Sequence, residues 1–148
     1  MPSFQLNGQT VPFEQGDTIM RAAWRAGIEI PHYCWHPGLS IAANCRMCLV
    51  HVKSGRQMQM PIMRFDEKKG AYVPDTKPKL VPACQIEAQA DMEVDSVGEE
   101  ASKAQHAVQE FLLLNHPVDC PICDQAGECK LQDYYMNHDR SGTRFDEV

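Results

Sequence analysis

One histidine and three cysteines lie within fourteen residues in the last quarter of the chain, at a spacing that suits a metal centre. The pattern is His-x3-Cys-x2-Cys-x5-Cys, formed by His116, Cys120, Cys123 and Cys129. Two prolines and a glycine fall between these residues, where a short loop must turn back on itself around a metal. Thiolates with one imidazole are suitable ligands for zinc or for an iron–sulfur cluster, and the spacing alone favours neither.

The other four cysteines form a second set with a different spacing, made up of Cys34, Cys45, Cys48 and Cys84. Structural zinc is commonly held by two short Cys-x2–4-Cys pairs, whereas this four-cysteine set contains only one such pair. A loop that supplies three ligands and a strand that returns the fourth suit the wider [2Fe–2S] cluster, as in plant-type ferredoxins. The first gap is ten residues here and four in those ferredoxins. We therefore expect a [2Fe–2S] cluster at this set.

Four stretches of the sequence resemble one known family. They are Ile30–Cys34, Asn44–Val50, Leu80–Cys84 and Asn115–Cys129. With them, nearly all of residues 1 to 140 resembles the N-terminal part of the large iron–sulfur subunit of respiratory complex I, the bacterial NADH-quinone oxidoreductase. Related cluster modules occur in iron-only hydrogenases, NAD-linked hydrogenases and formate dehydrogenases.

The resemblance implies which residues hold which cofactor. It assigns one [2Fe–2S] cluster to the four-cysteine set. It assigns one [4Fe–4S] cluster to the His116 set, consisting of His116, Cys120, Cys123 and Cys129. Family members continue into further cluster motifs and a large molybdopterin-like domain, so the chain is expected to be a fragment, a split subunit or a short relative.

The resemblance also implies a function. We expect an electron-transfer part of a proton-translocating NADH:quinone oxidoreductase, which relays electrons from NADH and flavin on a partner subunit toward quinone. No catalytic residue and no complete catalytic site are expected in this chain, and the expected location is the cytoplasmic face of the inner membrane, through partner subunits. Two alternatives remain: an electron-transfer subunit of a hydrogenase or NAD-dependent formate dehydrogenase, and a zinc-bound interaction module.

Composition narrows the possible partners and compartments. The formal net charge of -6 argues against nucleic acid, because phosphate binding needs clustered Lys and Arg. The sequence shows no apolar run of membrane-spanning length and no secretory leader, so we expect a cytosolic chain without direct membrane insertion. Seven cysteines, an odd number, favour metal ligation over disulfides. Because metal binding is coupled to folding, the apoprotein is expected to fold poorly.

The elements that must position the four-cysteine set read as an α+β fold. Residues 4–11 alternate apolar and polar around Asn7-Gly8, which predicts a β-hairpin with a type I′ turn. Asp17 or Thr18 is expected to cap a helix that runs to Ala26. Strands are predicted at 49–52, 80–84 and 92–95, with an excursion over 54–79 that could contain a hairpin. The prediction is a β-grasp, [2Fe–2S] ferredoxin-like domain over residues 1–97.

The second region, residues 98–140, is predicted to be a small helical domain that carries the His116 set. Ser96 and Glu99 form a possible capping box for a helix that reaches about Leu114. Its predicted apolar stripe consists of Ala101, Ala104, Val108, Phe111 and Leu112. A short helix is expected from about Cys129 through Tyr135, and residues 141–148 are expected to be a polar tail.

The remaining residues capable of chemistry have plainer interpretations. Four thiols already complete the first set, so His32 and His36 are expected to support the ligands or lie at the surface. His51 and His106 are expected to be packed or solvated within a strand and a helix. Two interpretations fit Arg46 equally: it tunes the charge of the cluster, or it is an ordinary exposed arginine. Packing is the favoured role of Met58, Met60, Met63, Tyr134 and Tyr135.

Overall fold

The protein is described by a computed structural model that covers residues 1–54, 63–74 and 79–138. Its central element is a five-stranded mixed sheet in the order β2-β1-β7-β3-β6. These strands are β1 (Ser3–Leu6), β2 (Gln9–Pro12), β3 (Leu49–Ser54), β6 (Lys79–Pro82) and β7 (Glu93–Asp95). Strands β1 and β7 are parallel, and the other neighbouring pairs are antiparallel. The predicted α+β class and ferredoxin-like domain are confirmed.

The opening hairpin forms as the sequence predicts. Asn7 and Gly8 both have positive φ, at 53° and 79°, which is the backbone that a type I′ turn requires. The turn is also tied to the far end of the domain. Asn7 Nδ2 donates to Ser96 Oγ at 2.8 Å, and Ser96 N donates to Asn7 Oδ1 at 2.8 Å. The hairpin is thereby fixed to the residue that follows β7.

Helix α1 (Ile19–Arg25) packs against the sheet. Of the two predicted caps, Thr18 is the one used: its hydroxyl accepts from the backbone N–H of Arg21 at 3.2 Å. The buried residues of α1 join the sheet's inward side chains, including Phe4, Leu6 and Val94, in one core. Each large apolar side chain that is fully buried contributes about 1.5–3 kcal/mol. This core is the scaffold from which the cysteine-bearing loops extend.

The excursion after β3 contains a second, separate sheet. Strands β4 (Met63–Asp66) and β5 (Ala71–Pro74) pair antiparallel, so the suggested hairpin is present. Asp66 Oδ1 accepts from the backbone N–H groups of Lys68 and Lys69 at 3.0 and 3.3 Å, which closes its turn. Met58 and Met60, for which packing is the favoured role, lie outside the described ranges. Met63 is exposed.

Two helices follow the sheet, α2 (Glu99–Leu113) and α3 (Lys130–His138), with a 3₁₀ turn at Cys120–Ile122 between them. The capping box predicted at Ser96 is wrong. Gly98 is the N-cap of α2, and no side chain caps the helix there. Ser96 is buried and its hydroxyl is taken by Asn7, while Asp95 Oδ1 accepts from the N–H groups of Val97 and Gly98 at 3.1 and 2.7 Å.

Of the apolar stripe predicted for α2, Ala101 is buried and Ala104 and Val108 are partly buried, but the prediction is wrong at Phe111 and Leu112, which are exposed. The buried residues of this helix are Ala101, Gln105 and Gln109, whereas Phe111 is 72% exposed. The helix turns these two glutamines inward because each finds hydrogen-bond partners there. Gln105 Nε2 donates to Ser96 O at 3.0 Å, and Gln109 bonds to Tyr33 and Leu131.

The short helix predicted after Cys129 is confirmed as α3, which contacts α2. The predicted domain boundary near residue 97 falls between β7 and α2 and stays a prediction. The predicted polar tail, 141–148, lies outside the described residues. Among the helices of the described ranges, none combines the length and apolar character needed to cross a bilayer.

Candidate metal centres

The ends of two neighbouring strands bring together one half of the four-cysteine set. Cys48 directly precedes β3 and Cys84 follows β6 by two residues, and these strands pair antiparallel with Leu49 opposite Pro82. The start of β3 therefore lies beside the end of β6. Ala83 N donates to Cys48 O at 3.0 Å and holds the two cysteines together. Both cysteines are buried.

A loop between α1 and β3 supplies the other half. The backbone N–H groups of Cys45 and Asn44 and the thiol of Cys45 lie close enough to Cys34 to lower the pKa of its thiol. Ala43 and Arg46 have positive φ, at 52° and 61°, although neither is a glycine. Left-handed residues in such a loop turn successive N–H groups toward one side, which creates a concave site for negative charge.

Buried neighbours anchor each part of this loop. Trp35, next to Cys34, is buried and its ring packs edge-on against Trp24 and His32 at centroid distances of 6.3 and 5.3 Å. Met47, between Cys45 and Cys48, is fully buried. The spacing of the cysteines does not predict that these two neighbours are buried. The sequence feature that could have indicated it is their apolar character next to a cysteine.

The four thiols influence one another. The Cys84 thiol donates to Cys48, which lowers the pKa of Cys48 to about 7 and raises that of Cys84. Cys34 and Cys45 also act electrostatically on Cys84. Burial raises the pKa of Cys34, but the amide hydrogen bonds and the Cys45 thiol together bring it below its usual value. Because thiolates are the form that binds metal, the amide donors favour the ligating state.

The His116 set is built on a succession of tight turns after α2. His116 N donates to Leu113 O at 3.3 Å, and Cys123 N donates to Cys120 O at 3.2 Å. Gly127 has φ of 86°, and its N–H donates to Gln132 Oε1 at 2.9 Å, which joins the last turn to α3. All four residues of this set line one pocket, together with Pro117, Ala126 and Tyr135. The turns that the prolines and the glycine predicted are present.

Both sets fit an iron–sulfur centre on these observations. The first brings four thiols within interaction range of one another, with backbone N–H groups that favour the Cys34 thiolate. The second shows a shared pocket with an apolar wall. Among the described residues, no group of three or more His, Cys, Asp or Glu side chains surrounds a point closely enough to hold one metal ion. In the four-cysteine set, the thiols interact in pairs, and they do not converge on one point.

The histidines outside the His116 set and Arg46 differ in how far they are exposed. His32 is half-buried, and its Nδ1 lies 2.7 Å from Ile30 O. Burial lowers the pKa of His32 below 6.5, and the hydrogen bond to the Ile30 carbonyl opposes this. His36 and Arg46 are exposed, and His51 and His106 are partly buried in β3 and α2. Tyr134 is buried, and its hydroxyl accepts from His32 N at 3.2 Å.

Comparison with known families agrees with both regions. Residues 2–99 match the model of a 2Fe-2S iron-sulfur cluster binding domain. The chain belongs to this family. Residues 105–144 match the NADH-ubiquinone oxidoreductase-G iron-sulfur binding region. These two matches confirm that the chain resembles the N-terminal region of the large iron–sulfur subunit of complex I.

The similarity to individual relatives extends over nearly the whole chain. The mitochondrial NADH-ubiquinone oxidoreductase 78 kDa subunit of Candida albicans is 40% identical over 97% of this chain and 17% of its own length. An NADH-quinone oxidoreductase subunit of Rickettsia bellii is 37% identical over 99% of the chain and 18% of its own length. The chain thus spans less than a fifth of these curated relatives.

A solved structure shows the same fold. An NAD+-reducing [NiFe]-hydrogenase in the H2-reduced state matches with a TM-score of 0.75 and 27% identity. The match covers 98% of this chain and 52% of the hydrogenase chain.

Proposed function

We propose that the chain is the electron-transfer iron–sulfur part of an NADH:quinone oxidoreductase. In this role it relays electrons that originate from NADH, through flavin on a partner subunit, toward quinone. The observation that carries the proposal is the succession of two separate ligand sets in one chain, each within a region that matches an iron–sulfur family. The relatives named as subunits of NADH-quinone oxidoreductase support the choice of complex.

The proposed ligands follow the two sets. Cys34, Cys45, Cys48 and Cys84 would hold one [2Fe–2S] cluster, and His116, Cys120, Cys123 and Cys129 would hold one [4Fe–4S] cluster. A cluster with all its positions filled by protein accepts and donates single electrons and leaves no position for a substrate. The chain's own residues would hold the cluster, keep Cys48 and Cys84 buried, and favour the thiolate form of Cys34 through the backbone N–H groups of Cys45 and Asn44. Hydride chemistry is assigned to the partner subunit.

The same roles imply partners and a location. A relay needs an electron donor and an acceptor, so we propose contacts with a flavin-bearing NADH-binding subunit and with other subunits of the oxidoreductase. Attachment to the cytoplasmic side of the inner membrane would then be indirect.

A second candidate is the electron-transfer part of an NAD-linked hydrogenase. The specific observation in its favour is the structural match, which covers about half of the hydrogenase chain. The two candidate functions differ in the electron donors that can reduce the clusters. A complex isolated with this chain would reduce its clusters with NADH in either case, but with molecular hydrogen only in the second.

A matched pair of ligand variants tests the assignment of two clusters. In Cys84→Ala, iron per chain should fall from about six to about four, with loss of the [2Fe–2S] electron paramagnetic resonance (EPR) signal. In Cys123→Ala, iron should fall to about two, with loss of the [4Fe–4S] signal. Loss of the same species in both variants, or of neither, would overturn the two-cluster assignment.

A further inference from the structure

The residue next to Cys34 is hydrogen-bonded to a buried glutamine of α2. Tyr33 Oη donates to Gln109 Oε1 at 2.6 Å. On the other side of the same amide, Gln109 Nε2 donates to the backbone oxygen of Leu131 at 3.3 Å. Gln109 has no solvent exposure. One buried amide group therefore joins the loop that bears Cys34 to the helix that begins directly after Cys129.

A second group of contacts runs beside this connection. Lys130, which follows Cys129, places its Nζ 3.2 Å from His32 Nε2. Because His32 Nδ1 lies 2.7 Å from Ile30 O, the tautomer with a proton on Nδ1 leaves Nε2 free to accept from the lysine ammonium. The rings of Tyr33 and Tyr134 meet edge-on at 5.2 Å. Cys45 and Cys129, one from each set, both act electrostatically on Tyr33.

We propose that Gln109 is a positioning residue that fixes the separation and orientation of the two metal centres. The inference rests on the proposed function, because it concerns the same two ligand sets. Sites keep their geometry when the residues behind the ligands are themselves held by packing and hydrogen bonds. Gln109 meets this condition for both sets at once, since it is buried and both ends of its amide are used.

The chemistry of the position favours glutamine over its close relatives. One side of the amide must accept from a hydroxyl and the other must donate to a carbonyl oxygen. Glutamate offers only acceptors when ionised, so its second oxygen would face Leu131 O without a proton between them. Leucine fills a similar volume but leaves the Tyr33 hydroxyl and the Leu131 carbonyl without this partner.

Gln105 provides a matched control on the same helix. It lies one turn earlier, is 2% exposed, and donates to Ser96 O at 3.0 Å. Among the hydrogen bonds of the described residues, it makes none to Tyr33 or α3. Gln105→Leu therefore removes a buried amide of the same helix while leaving the connection between the two ligand sets intact.

The experiment compares Gln109→Leu, Gln105→Leu and Tyr33→Phe in the full chain carrying its clusters. The first readout is the dipolar interaction between the two reduced clusters by EPR. The second is amide hydrogen exchange of residues 32–34. In Gln109→Leu we expect unchanged iron content, a wider spread of cluster separations and exchange at least about tenfold faster, since a lost buried hydrogen bond typically shifts such an equilibrium by that factor. Gln105→Leu should retain the parent values at both readouts.

Tyr33→Phe removes only the hydroxyl and keeps the ring, so it tests the connection if Gln109→Leu fails to fold. It should move both readouts in the same direction as Gln109→Leu. The proposal is overturned if Gln109→Leu, or Tyr33→Phe in its place, matches the parent, or if Gln105→Leu changes the readouts equally. If the parent carries no iron, the proposed function fails, while the exchange comparison still decides whether Gln109 holds the two segments together.

Discussion

At the scale of single residues, the two ligand sets differ in charge. The first contains four thiols, whereas the second replaces one thiol with the imidazole of His116. A neutral imidazole in place of a thiolate removes one negative charge from a bound cluster, which raises its reduction potential. His116 lines the same pocket as its three cysteines, so its replacement changes ligand charge at a fixed place in the chain.

His116→Cys should therefore keep a [4Fe–4S] cluster and lower its potential, by an amount on the order of 100 mV. A redox titration followed by EPR measures the shift. The [2Fe–2S] potential in the same variant is the internal control and should stay close to that of the parent. An unchanged or raised [4Fe–4S] potential would show that hydrogen bonding or solvent access outweighs ligand charge.

His138, the last described residue of α3, predicts a pH effect on the docking of this helix. Burial lowers the pKa of His138 below 6.5; nearby His106 adds to this effect and Glu29 opposes it. The ring also packs against Tyr134 at 5.6 Å. Because the folded chain binds this proton less readily than the unfolded chain, the contribution to stability is present above pH 6.5 and is lost as pH falls through the lower folded pKa.

Amide exchange of α3 in the parent and in His138→Gln, compared at the same pH, measures this contribution. At about pH 7.5 the neutral histidine should protect α3 as well as glutamine does. Toward about pH 5.5 the parent should lose protection relative to the variant. A constant ratio across this range would contradict the assignment, and the comparison at equal pH removes the intrinsic dependence of exchange on pH.

At the scale of elements, the start of α2 depends on the close approach of Asp95 to Gly98. The Asp95 carboxylate accepts from Gly98 N and from Lys53 Nζ, both within 2.8 Å. These contacts, Lys53 foremost, hold the pKa of Asp95 below its usual range. A Cβ on residue 98 would collide with the carboxylate. A side chain at residue 98 would therefore force the Asp95 carboxylate out of its contact with the start of the helix.

Gly98→Ala should destabilise the protein by about 1–3 kcal/mol, although replacing glycine by alanine often has the opposite sign. Chemical denaturation measures the free energy of unfolding. Glu100→Ala, an exposed change in the first turn of the same helix, is the control and should stay within about 0.5 kcal/mol of the parent. Equal stability of Gly98→Ala and the parent would mean that Asp95 moves aside without cost.

The elements also show what the sequence could and could not predict. The hairpin at Asn7-Gly8, the Thr18 cap and both ligand loops carry local signals, and the structure has each of them. The burial of Gln105 and Gln109 could not be predicted locally. A glutamine is normally expected to be exposed to solvent unless its hydrogen-bond partners elsewhere in the chain are known. The capping role predicted for Ser96 fails for the same reason, since Asn7, 89 residues away, takes its hydroxyl.

At the scale of the whole molecule, burial is divided unevenly between the two regions. The sheet and α1 form a continuous core that includes Cys48 and Cys84. Among the described residues after 109, Tyr134 is the one buried side chain. We therefore expect a bound cluster to supply much of the stability of the His116 set, because metal binding to a short loop contributes directly to its folding.

Removal of iron with a chelator under reducing conditions should accordingly affect the regions to different degrees. Amides of residues 115–129 should lose most of their exchange protection, while those of β1, β3 and β7 retain theirs. The sequence predicts that the apoprotein as a whole folds poorly, whereas the distribution of the core restricts this prediction to the second region. Loss of protection throughout the chain would show that the buried core alone cannot keep the sheet folded.

The central claim, two iron–sulfur centres in one chain, is tested most directly by iron, zinc and acid-labile sulfide analysis of the protein purified without oxygen. The account predicts about six iron and about six sulfide per chain, as one [2Fe–2S] and one [4Fe–4S] cluster require. Zinc in their place, with no acid-labile sulfide, would contradict it.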